Sequence, residues 1–137
     1  MDRTEFKTWC AGHVRLLDGA TGSNLRAAGM PVGVCGEAWI AEHPSLLRQL
    51  QQEFTAAGSE TVMAPTFGAN RILLKNYGLE HDAARLNRAL VSISREAVGP
   101  DVLVAGDMTT TGQAVMPGSS SEYRTLLEVY TEQAEAL

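Results

Sequence analysis

The sequence predicts an α/β fold built from parallel βα repeats. Three short apolar segments that favour strands, 14–17, 61–64 and 102–105, alternate with longer segments whose apolar residues recur at helical spacing. Each of these short segments is followed by small, polar or acidic residues. Because such strand–helix–strand connections are right-handed and place the strands in parallel, we expect about three βα units in one domain over residues 1–137.

Glycine and proline divide the first part of the chain. The polar segment 1–13 predicts a short helix across one end of the fold, and 23–28 predicts one or two helical turns that stop before Gly29. Residues 32–39 are rich in glycine and predict an irregular loop.

Two longer helices each carry one apolar face. The first begins at Pro44, because proline is tolerated in the first turn, and ends at Gly58. The second follows the candidate N-cap Asp82 and ends at Gly99, and a short helix over 71–77 precedes it.

The last helix begins after Ser119, which has the spacing of a capping box with Glu122. Its predicted apolar side consists of Tyr123, Leu126, Leu127, Tyr130, Ala134 and Leu137. Three parallel strands leave two sheet edges open, and the apolar side of the last helix needs another element to pack against. We therefore expect the chain to be the first part of a longer barrel, or a homo-oligomer that covers these edges.

Composition limits the class of partner. Hydrophobic residues make up 45% of the chain and can supply a core, while the formal charge of −5 disfavours nucleic acid and anionic membranes. No apolar run approaches the roughly 20 residues of a membrane span, and the N-terminus lacks the pattern of a secretion signal. These features predict a cytoplasmic protein.

The segment 16–24 carries the clearest functional signal. An apolar run ends at Asp18 and is followed by Gly19, Thr21 and Gly22. Glycine permits close approach of the backbone to a ligand, and βα folds place their sites at the carboxyl ends of strands. Two other interpretations stay open. The first is an ordinary turn whose acid accepts backbone N–H bonds, and the second is a phosphate cradle, which the acid and the missing Walker lysine disfavour.

The cysteines and histidines give no catalytic or metal assignment. Cys10 and Cys35 are far apart and predict free thiols rather than a disulfide or a zinc site. His13, His43 and His81 lie at predicted element boundaries, which favours surface or capping roles.

An ordered set of short motifs resembles the homocysteine S-methyltransferase family. This family includes the homocysteine domain of cobalamin-dependent methionine synthase and the betaine–homocysteine methyltransferases. The similarity extends from Val14 to the end of the chain. The matching pieces are LLDGATG at 16–22, EHP at 42–44, EF at 53–54, AGS at 57–59, PTFGANR at 65–71, YGLE at 77–80, VAGD at 104–107 and TG at 111–112.

The resemblance implies a (β/α)8 TIM barrel that transfers a methyl group to the thiol of homocysteine in methionine biosynthesis. This chain would be the N-terminal portion of that enzyme and inactive by itself. The family activates the thiol with zinc held by three cysteines, which would lie downstream of this chain. The resemblance also implies a methyl donor or a corrinoid protein as partner, and hence cobalamin through another module.

The same resemblance places the amino acid substrate at the carboxyl ends of the strands. Asp18 matches an acid that holds the ammonium group of the substrate, and Glu37 and Trp39 fall in a loop over the pocket. A solvated acid and a packed aromatic residue are the alternative interpretations of Glu37 and Trp39. The predicted substrate-binding residues are Asp18, Gly19, Thr21, Gly22, Glu37, Thr66, Phe67 and Asn70.

Two alternatives to homocysteine methylation remain. Residues 109–112 read Thr-Thr-Thr-Gly where the family more usually has Gly-Pro-Thr-Gly, which leaves open a corrinoid-dependent methyltransferase with another donor or acceptor. From a different class, a half barrel without a metal set could act as a non-catalytic binding or assembly module.

Overall fold

The computed structural model describes residues 1–114, 116 and 118–137. Within these residues, the structure contains seven α-helices and a parallel sheet of two strands. The helices are α1 (Arg3–Ala11), α2 (Thr21–Ala27), α3 (Gly36–Glu42), α4 (Pro44–Ala56), α5 (Arg71–Leu74), α6 (Ala83–Val98) and α7 (Ser120–Ala136), and the strands are β1 (Thr61–Ala64) and β2 (Leu103–Gly106). Short 3-10 turns over Lys75–Tyr77 and Glu80–Asp82 connect α5 to α6.

The sheet confirms the predicted α/β class and the parallel pairing. Thr61 lies opposite Leu103, and Ala64 lies opposite Gly106. β1 has the predicted bounds, and β2 begins and ends one residue later than predicted.

The predicted first strand over 14–17 is reduced to a single bridge. Leu17 pairs in parallel with Thr61, the Glu60 N–H donates to the Leu16 carbonyl, and the Asp18 N–H donates to the Thr61 carbonyl. Leu17 is 62% exposed, so this segment gains less from apolar burial than an interior strand would. Across the sheet, β1 lies between this first segment and β2.

The core lies where α4 and α6 pack against each other and against β1. Leu47 on α4, Leu90 on α6 and Val62 on β1 are fully buried. Leu25 from α2 and Ile40 from α3 join Leu47 and Leu90 in one cluster. The apolar residues recur at helical spacing, so one face of each helix is buried, as the sequence predicts.

The N-terminal helix α1 is connected to the sheet through Arg15. The Arg15 guanidinium lies 4.1 Å from the centroid of the Trp9 ring, donates to the Trp9 carbonyl and pairs with Glu60. The hydrogen bond from Arg15 lowers the pKa of the Glu60 carboxyl below its usual value. Asp2 and Glu5 form a capping box that begins the helix.

The predicted irregular loop over 32–39 is wrong in its second half, because α3 begins at Gly36. Glu37 lies in the first turn, where a carboxylate interacts favourably with the helix dipole. Ile40 is buried in the core cluster, and α3 packs against α6. Burial of this apolar residue favours a helix in a segment whose glycines alone predict a loop.

The start of α7 shows half of the predicted capping box. The Ser119 hydroxyl accepts from the Glu122 N–H, as predicted. The Glu122 carboxylate instead accepts from the Met116 N–H, and this bond lowers the pKa of Glu122. The helix therefore has its N-cap but not the reciprocal bond.

The predicted apolar side of α7 is right for three of its six residues, which are partly buried, and wrong for the other three, which are exposed. Val129, Gln133 and Ala136 are buried, and α7 packs against α6. Tyr123 and Leu127 are 61% and 54% exposed. The inward face of the helix therefore includes a glutamine, which the apolar pattern did not select.

Among the described residues, no helix combines the length and the apolar character that crossing a membrane requires.

We predict that Leu47→Ala lowers the free energy of unfolding by about 2–5 kcal/mol, because it removes a fully buried side chain and leaves a cavity. Urea unfolding followed by circular dichroism measures this change. Val32→Ala is the matched control, since Val32 is 83% exposed, and it should change stability by less than about 0.5 kcal/mol. Equal effects of the two substitutions would contradict the assigned core.

Candidate functional site

A cavity of about 380 Å³ opens at the carboxyl ends of the strands. Its walls come from the segment after Leu17, from α3, and from the residues that follow β1 and β2. Within the described residues no basic side chain lines it. The lining residues are Gly19, Thr21, Gly22, Met30, Gly36, Glu37, Ile40, Met63, Ala64, Pro65, Phe67 and Asp107.

Asp18 lies beside this cavity and completes the hydrogen bonding of β1. Its Oδ2 accepts from the Met63 N–H at 3.1 Å. Burial raises the pKa of the Asp18 carboxyl, the hydrogen bond from Met63 opposes this rise, and the negative charge of Asp107 adds to it. An acceptor of backbone N–H bonds was one interpretation of this acid, and the structure contains that bond. The carboxylate is also partly desolvated, so a cationic ligand would stabilise its charge.

Glu37 connects α3 to the loop that follows β1. Its Oε1 accepts from the Gly68 N–H at 2.8 Å, and its Oε2 lies 3.5 Å from the Cys35 Sγ. A Cβ on Gly68 would lie 2.7 Å from Glu37 Oε1, so a side chain here would force the Glu37 carboxylate to move. Burial raises the pKa of the Cys35 thiol and the charge of Glu37 adds to that rise, so the thiol is a donor here.

The glycine-rich turn contributes three predicted residues to the cavity wall, Gly19, Thr21 and Gly22. The close approach at Gly19 is to the protein itself, because a Cβ there would lie 2.8 Å from Cε1 of Phe54. A Cβ on Gly22 would have no atom within 4 Å.

Two predicted site residues lie behind the wall rather than on it. Thr66 is fully buried, and its hydroxyl both donates to the Asp107 carbonyl and accepts from the Asp107 N–H, each at 2.9 Å. Asn70 is also fully buried, and its Oδ1 caps α5 by accepting from the Leu73 N–H. Phe67, between them, does line the cavity and is 56% exposed.

Trp39 does not lie over the cavity. It belongs to α3, is partly buried, and stacks on His43 with ring centroids 4.1 Å apart. The packed aromatic interpretation therefore holds for this residue.

The cavity wall also contains residues outside the predicted set, among them Asp107, Met30 and Met63. Asp107 had a usable signal, since it follows an apolar strand just as Asp18 does. The methionines had none, because a methionine that lines a site and one that fills the core look alike in a sequence.

The two cysteines are free, as predicted, with Cys10 exposed on α1 and Cys35 buried near α3. In the part of the chain that the structure describes, no group of three His, Cys, Asp or Glu side chains could hold a metal ion. Cys35 contacts Glu37 rather than a second thiol. These residues therefore do not fit a zinc site made of three cysteines.

The fold is an α/β domain with a cavity at the carboxyl ends of its parallel strands. The family model for homocysteine S-methyltransferase matches residues 15–137, and the chain belongs to this family. The resemblance of the short motifs is thereby confirmed.

Curated relatives include betaine–homocysteine S-methyltransferase 1 of Danio rerio, which is 33% identical over 118 residues. That alignment covers 83% of this chain and 30% of the relative. S-methylmethionine–homocysteine S-methyltransferase BHMT2 of Pongo abelii is 32% identical over 103 residues, with 74% of this chain and 27% of the relative covered. The chain therefore spans about a third or less of the length of these relatives.

A solved structure has the same fold. The homocysteine methyltransferase MmuM from Escherichia coli in its metallated form superimposes with a TM-score of 0.76 at 22% identity. The superposition covers 96% of this chain and 52% of the E. coli chain.

We predict that Gly68→Ala lowers the free energy of unfolding by about 1–2 kcal/mol, because the new methyl group displaces the Glu37 carboxylate from the Gly68 N–H. Gly22→Ala is the control. It lies in α2 with open space around it, and alanine is the better helix former by up to about 1 kcal/mol. Thermal unfolding of both variants tests the contact, and a Gly68→Ala protein as stable as Gly22→Ala would contradict it.

We predict a pH-dependent stability effect at Asp18. Because its pKa in the folded protein is raised, the folded state holds this proton at pH values where the unfolded state has lost it. The contribution of Asp18 to stability therefore falls as the pH rises from the unfolded pKa through the folded one. Asp18→Asn keeps an oxygen for the Met63 N–H and should gain stability relative to wild type over that window, measured by thermal unfolding across pH. A relative loss with rising pH would mean that the folded protein stabilises the charge.

Proposed function

We propose that this chain forms the amino acid-binding end of a homocysteine S-methyltransferase, and that the whole protein transfers a methyl group to the thiol of homocysteine. The observation that carries this proposal is the acidic cavity at the carboxyl ends of the strands in a member of this family. Its volume of about 380 Å³ lies at the lower end of the range for small-molecule pockets, about 300–1,000 Å³.

The charge of the cavity favours a ligand with an ammonium group. Glu37 and Asp107 line it and Asp18 lies beside it, while no described lining residue is basic. Asp18 uses Oδ2 for the Met63 N–H, which leaves Oδ1 to accept from a ligand. A partly desolvated carboxylate and an ammonium group form a charge-assisted hydrogen bond, which is stronger than one between neutral groups. We therefore assign the ammonium group of homocysteine to Asp18.

The apolar part of the wall suits the rest of this substrate. Met30, Ile40, Met63 and Phe67 present methylene, thioether and aromatic surface to the cavity. Such groups pack favourably against the two methylenes and the sulfur of homocysteine. The backbone at Gly19 and Gly22 adds a wall without side chains, which leaves room for the amino acid end.

We propose that further strands complete a (β/α)8 barrel in the whole protein. Leu17 at one side of the sheet is exposed, and no residue of β2 at the other side is fully buried, as expected for strands that lack a neighbour on one side. The chain also covers 52% of the E. coli enzyme with the same fold. A second groove of about 630 Å³ near the strand starts, lined by Trp9, Leu17 and Leu103 among others, would then face the barrel interior.

We propose that the thiol is activated by a metal held outside this chain, since the described residues offer no suitable group. The E. coli relative is known in a metallated form, and zinc is the ion that the family resemblance implies. Zinc would favour the thiolate, which is the nucleophile. As methyl donor we favour a small compound whose methyl group is carried on a cationic nitrogen or sulfur, because relatives are named for betaine and for S-methylmethionine. A corrinoid donor, and with it cobalamin, is the alternative.

We predict that Asp18→Asn weakens homocysteine binding to the whole protein by about tenfold or more, because the charge-assisted bond to the ammonium group is lost. Isothermal titration of the zinc-loaded protein measures the dissociation constant. Asp101→Asn is the control for charge, since Asp101 is exposed in the turn before β2. It should bind as wild type does.

Two outcomes would contradict the proposal. A wild-type protein that binds no homocysteine would favour a non-catalytic assembly module. Equal weakening by both variants would mean that overall charge, and not a contact at Asp18, determines affinity.

A further inference from the structure

Two fully buried amides lie behind the loop that follows β1. Gln133 belongs to α7 and Asn87 belongs to α6, and neither side chain is exposed to solvent. Burying an amide costs free energy unless its hydrogen bonds are made inside the protein. The hydrogen-bond partners of these two amides therefore indicate their role in the core.

Both amides donate to carbonyl groups of the same loop. Gln133 Nε2 donates to the Thr66 carbonyl at 2.8 Å, and Asn87 Nδ2 donates to the Ala69 carbonyl at 2.7 Å. Asn87 Nδ2 also lies 2.7 Å from the Ala83 carbonyl of its own helix. A weaker contact of 3.4 Å joins Gln133 Nε2 to Asn87 Oδ1, so the two amides form one network.

The hydroxyl of Thr66 extends this network to the residues after β2. It bonds to both the N–H and the carbonyl of Asp107. The loop that begins at Pro65 is thus bonded to the segment that follows β2. Each of the two segments contributes one residue to the cavity wall, Phe67 from the loop and Asp107 from the segment after β2.

The loop is held from two sides. On the cavity side, the Glu37 carboxylate accepts from the Gly68 N–H. On the core side, the amides of Gln133 and Asn87 donate to the carbonyls of Thr66 and Ala69. Only the Glu37 side touches the cavity, so the network behind the loop acts without contact to a ligand.

We propose that Gln133 and Asn87 are positioning residues of the substrate site, which set the affinity for the amino acid substrate by fixing the loop that carries Phe67 and Gly68. The identity of that substrate as homocysteine rests on the proposed function, whereas the positioning role does not. Small displacements of groups that hold a substrate reduce binding and rate, which explains why a core that could be apolar contains two amides.

Hydrogen exchange tests the positioning role without any substrate. Gln133→Met keeps the length of the side chain and removes the donor to the Thr66 carbonyl. We expect the Gly68 and Ala69 amides of the whole protein to exchange about tenfold faster in this variant. Gln51→Met is the matched control, because Gln51 is also fully buried but donates to the Met63 carbonyl within β1. It should leave exchange in the loop unchanged.

Steady-state kinetics then test the consequence for the site. In the zinc-loaded whole protein, Gln133→Met should raise the KM for homocysteine by about tenfold with a smaller change in kcat, while Gln51→Met should not. Thr66→Val should raise the KM as well, and Thr66→Ser, which keeps the hydroxyl for Asp107, should restore it. If the role were purely structural, both glutamine variants would be less stable but would have the same KM. The two threonine variants would then also share one KM.

The outcomes distinguish the two proposals. If the rate of the wild-type protein does not saturate with homocysteine, the proposed function is overturned. The hydrogen-exchange result alone then decides the positioning role. Equal loop exchange in Gln133→Met and Gln51→Met would overturn the positioning role even if homocysteine is methylated. Faster loop exchange confined to Gln133→Met supports the role, including the case in which that variant is less stable overall.

Discussion

The need to satisfy backbone groups at the carboxyl ends of β1 and β2 organises this structure. A parallel ladder leaves N–H and C=O groups without partners where its strands stop, and burial makes each such group costly. Side chains from distant parts of the sequence supply the partners. Asp18 accepts from the Met63 N–H, Thr66 bonds to the Asp107 backbone, and Gln133 donates to the Thr66 carbonyl.

Some of these groups also lie at the candidate site, so stability and ligand binding are linked there. The Asp18 carboxylate is partly desolvated and its pKa is raised, which means that its charge is not optimally compensated by the chain alone. Glu37 uses one oxygen to hold Gly68 and lines the cavity as well. A site that retains uncompensated negative charge is suited to a cationic group, and it costs the protein some stability in the ligand-free state.

Much of the fold followed from local patterns, whereas the site followed only in part. The bounds of β1, the start of α4 at Pro44 and the family resemblance were all predicted and are confirmed. Five of the eight predicted site residues line the cavity, and Asp18 lies beside it. Thr66 and Asn70 lie behind the wall. The sequence did not predict this, because small polar residues after a strand can face either a ligand or the backbone. The substrate-binding role of these residues stays a prediction.

The sequence by itself determined the class of fold, the order of the elements and the acid at the end of the first strand segment. These depend on hydrophobic periodicity, on glycine and proline, and on short motifs, all of which act over a few neighbouring residues. Only the tertiary structure decided that residues 14–17 shorten to one bridge, that α7 turns Gln133 inward, and that Asp107 joins Asp18 at one cavity. Each of these outcomes depends on contacts between residues that are far apart in the sequence, and such contacts are set by packing, which local patterns do not encode.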